Sequence, residues 1–442
     1  MRLRSLFDTL GLNDDSRHLG PHQSVFPAVV LLTVIVLIGG CAGKPAWDQE
    51  DAATIYERYR DVDLDYFFDA PPTDPTSQHP LYRGLKAKID GRLDDAERHL
   101  KAATDAMPDS LRSFVYERLR DINERSYNWD DVVRYRSRTD SAFAADSKLG
   151  RVLANRSVPR LANAPDTATA PFEGLRTQVR INGASTSVPA VLDTGAPKTS
   201  VSRVMVERFD LPVDTSVAVG RSIVPALDLD MPQYATHIDR LEIGNVVIRN
   251  IPARVSWPEP DSNRSSDRST RSIDDADVFL GARLLRHVFD EIRYNYPDST
   301  FTMIRDVPER EGPPNFAVMS DGWPIVRATA GGQAMAGVID TGNLWVSRLH
   351  ASSFPPSKYE KVGTRSGTAP NGYEWEIGVY RVPLEFPRGL RRDEMVIRGT
   401  GDKPYRLQAN FGKDLWTEGT LVLDYKNRRA YYEESNTSDE TN

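Results

Sequence analysis

The sequence predicts a multidomain chain: a small all-α segment followed by a mainly β region of two lobes. Three observations support this. Apolar residues recur at helical spacing between residues 77 and 156. From Phe172 onward the pattern changes to short segments rich in Val, Ile and Leu, broken by Gly, Pro and Asp. Within that second region an ordered set of segments occurs twice, each copy built around Asp-Thr-Gly. A length of 442 residues exceeds one ordinary domain. The composition, 39% hydrophobic and 27% charged, suits a globular protein over most of the chain. A net charge of -7 gives no support to a nucleic-acid partner, which would call for a basic, phosphate-tracking surface.

The N-terminal end holds the one long apolar run, Val25 to Gly40, which at 16 residues is short of the roughly 20 a membrane span needs. It closes on Leu37-Ile38-Gly39-Gly40-Cys41, where small glycines fit a peptidase cleft and the thiol accepts a lipid. This ending resembles the lipobox of bacterial lipoproteins. The resemblance implies a signal peptide over 1–40, a lipid on Cys41, a tether over 41–76, and a place in the bacterial cell envelope, facing the periplasm from the outer membrane. The alternative is an uncleaved anchor, which would also keep the body on a bilayer. Cys41 is the sole cysteine, so no disulfide forms within the chain and a cysteine–zinc site is excluded.

Residues 77–156 predict a helical domain. Read as a 34-residue unit, 77–110 place Gly84, Gly91, Ala96, Leu100, Ala103 and Pro108 where small residues let two antiparallel helices approach and a proline ends the second. Gly91 marks the turn between helices over Leu81–Asp90 and Leu93–Met107. The unit resembles a tetratricopeptide repeat, although Pro80 stands where a large residue is usual. The stretch 111–144 keeps helical spacing through Phe114, Leu119, Ile122, Trp129 and Val133 but no repeat register. Such a domain either binds a protein partner or spaces and packs against the body that follows. Pro159, Pro165 and Pro171 read as a linker over 157–171.

The β region divides into lobe 1, 172–304, and lobe 2 with a C-terminal tail, 305–442. Lobe 1 runs through Val191-Leu192-Asp193-Thr194-Gly195-Ala196, then Phe279-Leu280-Gly281, and closes on Asp290–Tyr294 and Thr300–Met303. Lobe 2 runs through Val338-Ile339-Asp340-Thr341-Gly342-Asn343, then Asn410-Phe411-Gly412, and closes on Thr420–Tyr425 and Arg429–Tyr432. Between Pro258 and Asp277 a polar stretch with one large aliphatic residue predicts a surface insertion. The paired Asp-Thr-Gly segments, each with an apolar residue and Gly to cross beneath it, resemble the aspartic protease superfamily, as two fused retroviral-protease-like or pepsin-like lobes. The resemblance covers about Phe172 to Glu433.

That resemblance implies catalysis by Asp193 and Asp340. Two close carboxylates sharing a proton supply both the base that activates water and the acid that protonates a carbonyl. Thr194 and Thr341 would lock the two loops together, while Gly195 and Gly342 leave room for backbone amides to orient the carboxylates. Tyr234, 41 residues beyond Asp193, falls near a pepsin-like flap tyrosine, with a half-buried structural aromatic as the alternative. Gly363 to Gly372 is either the flap of lobe 2 or a loop. The expected activity is endopeptidase cleavage of extended polypeptide by a monomer, since the fused repeat lets one chain supply both aspartates, with no cofactor and no metal. His18 and His22, the one pair at ligand-like spacing, precede Cys41, and His237 and His287 read as strand-edge or surface residues. No Gly-x-Ser-x-Gly elbow appears. The alternative is a non-catalytic envelope scaffold binding peptide or cell wall, which would have no need of both carboxylates.

Overall fold

The N-terminal helical pattern folds into paired helices, Pro80–Ile89 with Leu93–Thr104 and Asp109–Arg125 with Trp129–Thr139, before a last short helix, Lys148–Ala154. The computed structural model describes residues 49–69, 78–105, 107–163, 165–224, 229–256, 278–319, 322–343, 346–368, 374–387, 390–398 and 407–435. Cys41, the 25–40 run and the 258–277 insertion lie outside them. Among the described residues no helix is long and apolar enough to cross a membrane.

Pro80 begins its helix at the first position, where its missing N–H costs nothing, and His79 Nδ1 accepts from Leu81 N as the cap. Gly84 sets the approach of the second helix: a Cβ there would lie 2.6 Å from Leu100 Cγ. Ala96, Leu100 and Ala103 fill the interface, as their spacing predicts. The tether expected over 41–76 is corrected for 49–69. Helices Gln49–Arg60 and Leu64–Asp69 form there, and Ile55, Tyr59 and Phe67 enter the helical core. Ala52, Ile55 and Tyr59 share one helical face, a three- and four-residue spacing hidden by the surrounding acidic and aromatic composition. Lys88 is fully buried and ties three helices, its Nζ 2.7 Å from Asp121 Oδ2 and 2.8 Å from the Tyr59 hydroxyl. Removing one member of such a buried pair costs far more than the pair contributes.

The β region contains two large sheets, of 14 and 8 strands among the described residues. In lobe 1 the strand Val188–Asp193 lies antiparallel to Arg176–Ile181 and parallel to Val278–Gly281. In lobe 2 Gln333–Ile339 lies antiparallel to Pro324–Ala330 and parallel to Ala409–Phe411. The two closing hairpins meet: Glu291–Asn295 pairs with Gly419–Asp424, register Ile292 to Leu423, so one sheet runs continuously beneath both lobes.

The 157–171 linker is corrected too. Arg160–Asn163 pairs with Val247–Arg249, and Thr167–Glu173 pairs with Thr300–Ile304. Three prolines suggested a break, yet Ala168, Ala170 and Phe172 alternate inward at strand period. Phe172 N donates to Ser299 O, which turns the Pro171 nitrogen to the other side. There the next strand pairs only with Phe172 and Glu173, so proline forfeits no ladder bond.

Helices and lobes share a compact unit, Trp47–Asn442. Ala317, Met319, Ile325, Ala336, Val338 and Leu407 of lobe 2 belong to the same core as the helical residues Leu81, Leu85 and Ile122. The helical segment is therefore packed onto the β body.

Candidate active site

Each Asp-Thr-Gly follows the end of a buried strand, and its parallel neighbour brings a glycine alongside. Gly281 is in register with Asp193, and Phe411 with Ile339, one residue before Asp340. Each glycine N–H is held by a hydroxyl from beyond its loop: Gly281 N donates to Thr199 Oγ1 at 3.4 Å, Gly412 N to Ser347 Oγ at 2.7 Å. Ser347 Oγ also donates to Asp414 Oδ1 at 2.5 Å.

The two loops then meet. Thr194 N donates to Thr341 Oγ1 and Thr341 N to Thr194 Oγ1, both at 3.0 Å. Each hydroxyl donates onward across the interface, Thr194 Oγ1 to Ile339 O at 2.7 Å and Thr341 Oγ1 to Leu192 O at 2.6 Å. Both threonines are fully buried, so four bonds join the loops out of reach of water. The glycines finish the approach. A Cβ on Gly195 would sit 2.1 Å from Asp340 Oδ1, and one on Gly342 would sit 2.3 Å from Asp193 Cγ. Only a residue without a side chain lets each loop lie against the other loop's carboxylate.

Asp193 Oδ1 accepts from Gly195 N at 2.8 Å and Ala196 N at 2.9 Å. Burial pushes its carboxyl up to about 7, the charge of Asp340 adds to this, and the N–H groups of Ala196, Gly195 and Gly342 oppose it. Asp340 Oδ2 accepts from Asn410 Nδ2 at 2.8 Å. The pair thus holds one proton more readily than two ordinary surface carboxylates would.

The sequence-predicted residues Asp193, Thr194, Gly195, Asp340, Thr341 and Gly342 all converge here. Tyr234 does not. It pairs with Val255 and packs, half-buried, against the β core, one residue past the hairpin of Gly220–Val224 and Leu229–Gln233. The strand continues straight through 234 with its neighbours paired at every step, a setting that suits the half-buried structural aromatic of the two readings. In lobe 2 Lys361–Thr368 and Glu374–Glu385 form the corresponding hairpin, so the glycines of 363–367 are strand residues. His287 is exposed, but on a helix and not at a strand edge. It lies on the helix Ala282–Val288, its Nε2 3.2 Å from Pro159 O and its ring edge-on to Tyr127. His237 Nε2 is 3.0 Å from Asp239 Oδ1.

Sequence reasoning passed over four site neighbours. Asn410 and Asn343 lie inside the motifs themselves, and the polar residue at 410 in an apolar position was the available signal. Trp323 Nε1 donates to Gly195 O at 2.9 Å while its ring packs on the helical core. Glu124, near the end of the Asp109–Arg125 helix, is 2.9 Å from Arg283 and 3.4 Å from Lys198, three residues past Gly195. Burial would raise the Glu124 carboxyl, but Lys198 and Arg283, with Arg254 beyond, hold it well below the usual carboxylate range. The next residue, Arg125, turns to lobe 2 and donates to Val318 O at 2.8 Å and to Met319 O. No signal in a single sequence marks such long-range contacts.

No curated protein matches this chain. Among solved structures, basic 7S globulin from soybean is similar over 61% of this chain and 95% of its own, at 12% identity and a TM-score of 0.36. Residues 177–264, the part of lobe 1 that carries Asp193, Thr194 and Gly195, match the family model of the gag-polyprotein putative aspartyl protease.

Proposed function

We propose that this chain is an aspartic endopeptidase that hydrolyses peptide bonds in extended polypeptides, with Asp193 and Asp340 as the catalytic pair. One observation carries the reading: the reciprocal Thr194–Thr341 bonding presses each Asp against the other loop's glycine. A binding scaffold would gain nothing from burying two carboxylates face to face, where like charge and desolvation both cost stability.

The chemistry balances with one proton on the pair. The ionised carboxylate takes a proton from water as the oxygen adds to the scissile carbonyl carbon. The protonated carboxyl gives its proton to the carbonyl oxygen, forming a gem-diol. On collapse the first carboxyl returns its proton to the leaving nitrogen, a diol hydroxyl re-protonates the second, and the C–N bond breaks. In this reading the paired strands Gly220–Val224 with Leu229–Gln233, and Lys361–Thr368 with Glu374–Glu385, would serve as covers over an extended substrate, which two β lobes suit. Lipid on Cys41 and an outer-membrane, periplasm-facing site belong to the same proposal, on the strength of the 37–41 sequence. Packing of the helical segment on both lobes favours a support role for it in a monomer.

The test is cleavage of a mixed peptide library by the purified full chain from about pH 4 to 8, beside Asp193→Asn and Asp340→Asn proteins of matched circular dichroism. Cleavage lost in both variants is expected. Cleavage retained by either, or absent from the folded wild type at every pH, counts against the reading.

A further inference from the structure

Equivalent positions on the two lobes differ in one respect that bears on the reaction. Phe279 and Asn410 each lie on the parallel strand beside the Asp strand, in register with Val191 and Val338, two residues before Asp193 and Asp340. Phe279 is apolar and packs against the core. Asn410 is 5% exposed, so its amide must find partners inside the protein. It finds them on both sides: Nδ2 donates to Asp340 Oδ2 at 2.8 Å, and Oδ1 accepts from Asn343 Nδ2 at 2.7 Å. Asn343 Nδ2 is itself 3.2 Å from Val346 O. That second bond decides the orientation of the Asn410 amide, because an acceptor facing Asn343 Nδ2 leaves the NH2 group facing Asp340.

The strands on the far side repeat the difference. Ser200 lies opposite Phe279, whereas Arg348 lies opposite Asn410. Asp340 therefore has an amide donor and a neighbouring cation, while Asp193 takes its bonds from backbone N–H groups alone among the described contacts. A donor aimed at a carboxylate favours its charged form.

Resting on the hydrolytic reading above, we propose that Asn410, locked by Asn343, is the positioning residue that divides the labour of the pair. It holds Asp340 as the carboxylate that takes the proton from water and leaves Asp193 as the carboxylic acid that protonates the scissile carbonyl. The raised carboxyl of Asp193 agrees with this division. Among the described residues, the other titratable and charged groups that sense the pair are Arg348, with Arg398 near it, and Tyr294, which sits beside Thr341 and feels the charge of Asp193.

The experiment compares wild type with Asn410→Leu, which keeps the size and removes the donor, and with Asn343→Ala, which frees the Asn410 amide to turn. Loss of the donor raises the Asp340 pKa, so the acid limb of the kcat/KM profile should move up by about one pH unit. At the optimum kcat should fall about tenfold with KM within about twofold. Asn343→Ala should shift the limb in the same direction by less. A merely structural Asn410 would lower the active fraction and leave the limb in place, and that outcome overturns the proposal. The second readout needs no substrate: 13C spectra of Asp-labelled full-length protein, differenced against Asp340→Asn. The lower titration step should vanish in Asp340→Asn and rise in Asn410→Leu. A lower step that vanishes instead in Asp193→Asn, or does not move in Asn410→Leu, overturns the assignment even if no peptide is ever cleaved. Loss of cleavage in both aspartate variants beside an unmoved Asn410→Leu profile would sink this inference and spare the proposed function.

Discussion

Lobe 1 and lobe 2 agree where their loops touch and diverge one layer behind. At the contact, Thr194 and Thr341 exchange identical bonds, and Gly195 and Gly342 each face the opposite carboxylate. Behind it, lobe 1 has Phe279 opposite Ser200, and lobe 2 has Asn410 opposite Arg348. The supports differ as well. The helix ending at Arg125 holds lobe 1 by charge, Glu124 to Lys198 and Arg283, and holds lobe 2 by donating to the carbonyls of Val318 and Met319. A structure that must bring two loops together keeps them matched only at the surfaces that meet. A single chain is free to make their environments unequal, which a pair of identical subunits cannot do at rest.

The comparison yields graded tests. The largest effect is expected from Asp193→Asn and Asp340→Asn, each lowering kcat about 10³-fold. Loss in only one of the two would show that the lobes do not contribute one carboxylate each. Next comes Glu124→Gln, expected to destabilise by about 3 kcal/mol in urea melts by leaving buried Arg283 short of its carboxylate. Arg125→Met should cost less and respond less to salt, because its lobe 2 partners are neutral carbonyls. Equal salt dependence would erase the distinction between the two supports.

Gly195→Ala and Gly342→Ala should each cost about 1–3 kcal/mol, since the new methyl falls on the opposite carboxylate. Thr194→Val and Thr341→Val should each cost about 1–3 kcal/mol by leaving a buried N–H without its acceptor. The two members of each pair should match within error, and a mismatch would place the asymmetry at the contact itself.

The last test concerns pH. Asp193 is raised from an ordinary 3.8 to about 7 in the folded protein. Its contribution to stability is therefore full below about pH 4 and is lost as pH rises through 7. The melting temperature of wild type should fall relative to Asp193→Asn over that window. A constant difference between the two would contradict the raised value.

Much of the site was legible in the sequence because it is built from local motifs. Asp193-Thr194-Gly195 and Asp340-Thr341-Gly342 carry their own loop geometry, and the glycines of Leu280-Gly281 and Phe411-Gly412 announced the strands that cross beside them. Helix periodicity likewise placed Ala96, Leu100 and Ala103 correctly. The failures share a cause. Thr167–Glu173 was hidden because proline frequency is a weaker guide than the inward alternation of Ala168, Ala170 and Phe172. Trp323, Glu124 and Arg125 act across separations of more than 70 residues, where no local spacing reports the partner. Tyr234 was singled out by counting residues from Asp193, which says nothing of the strand pairing that surrounds it.

The shared core of helices and lobe 2 has a consequence for synthesis. The helical segment emerges from the ribosome first, yet the backbone that Arg125 grips at Val318 is 193 residues further along. At about 5–20 residues per second that separation is a wait of roughly 10–40 s. Throughout it, the helical face destined for Ile325, Ala336 and Val338 has nothing to cover it. The nascent chain thus carries a greasy, half-finished surface for longer than most small domains take to fold.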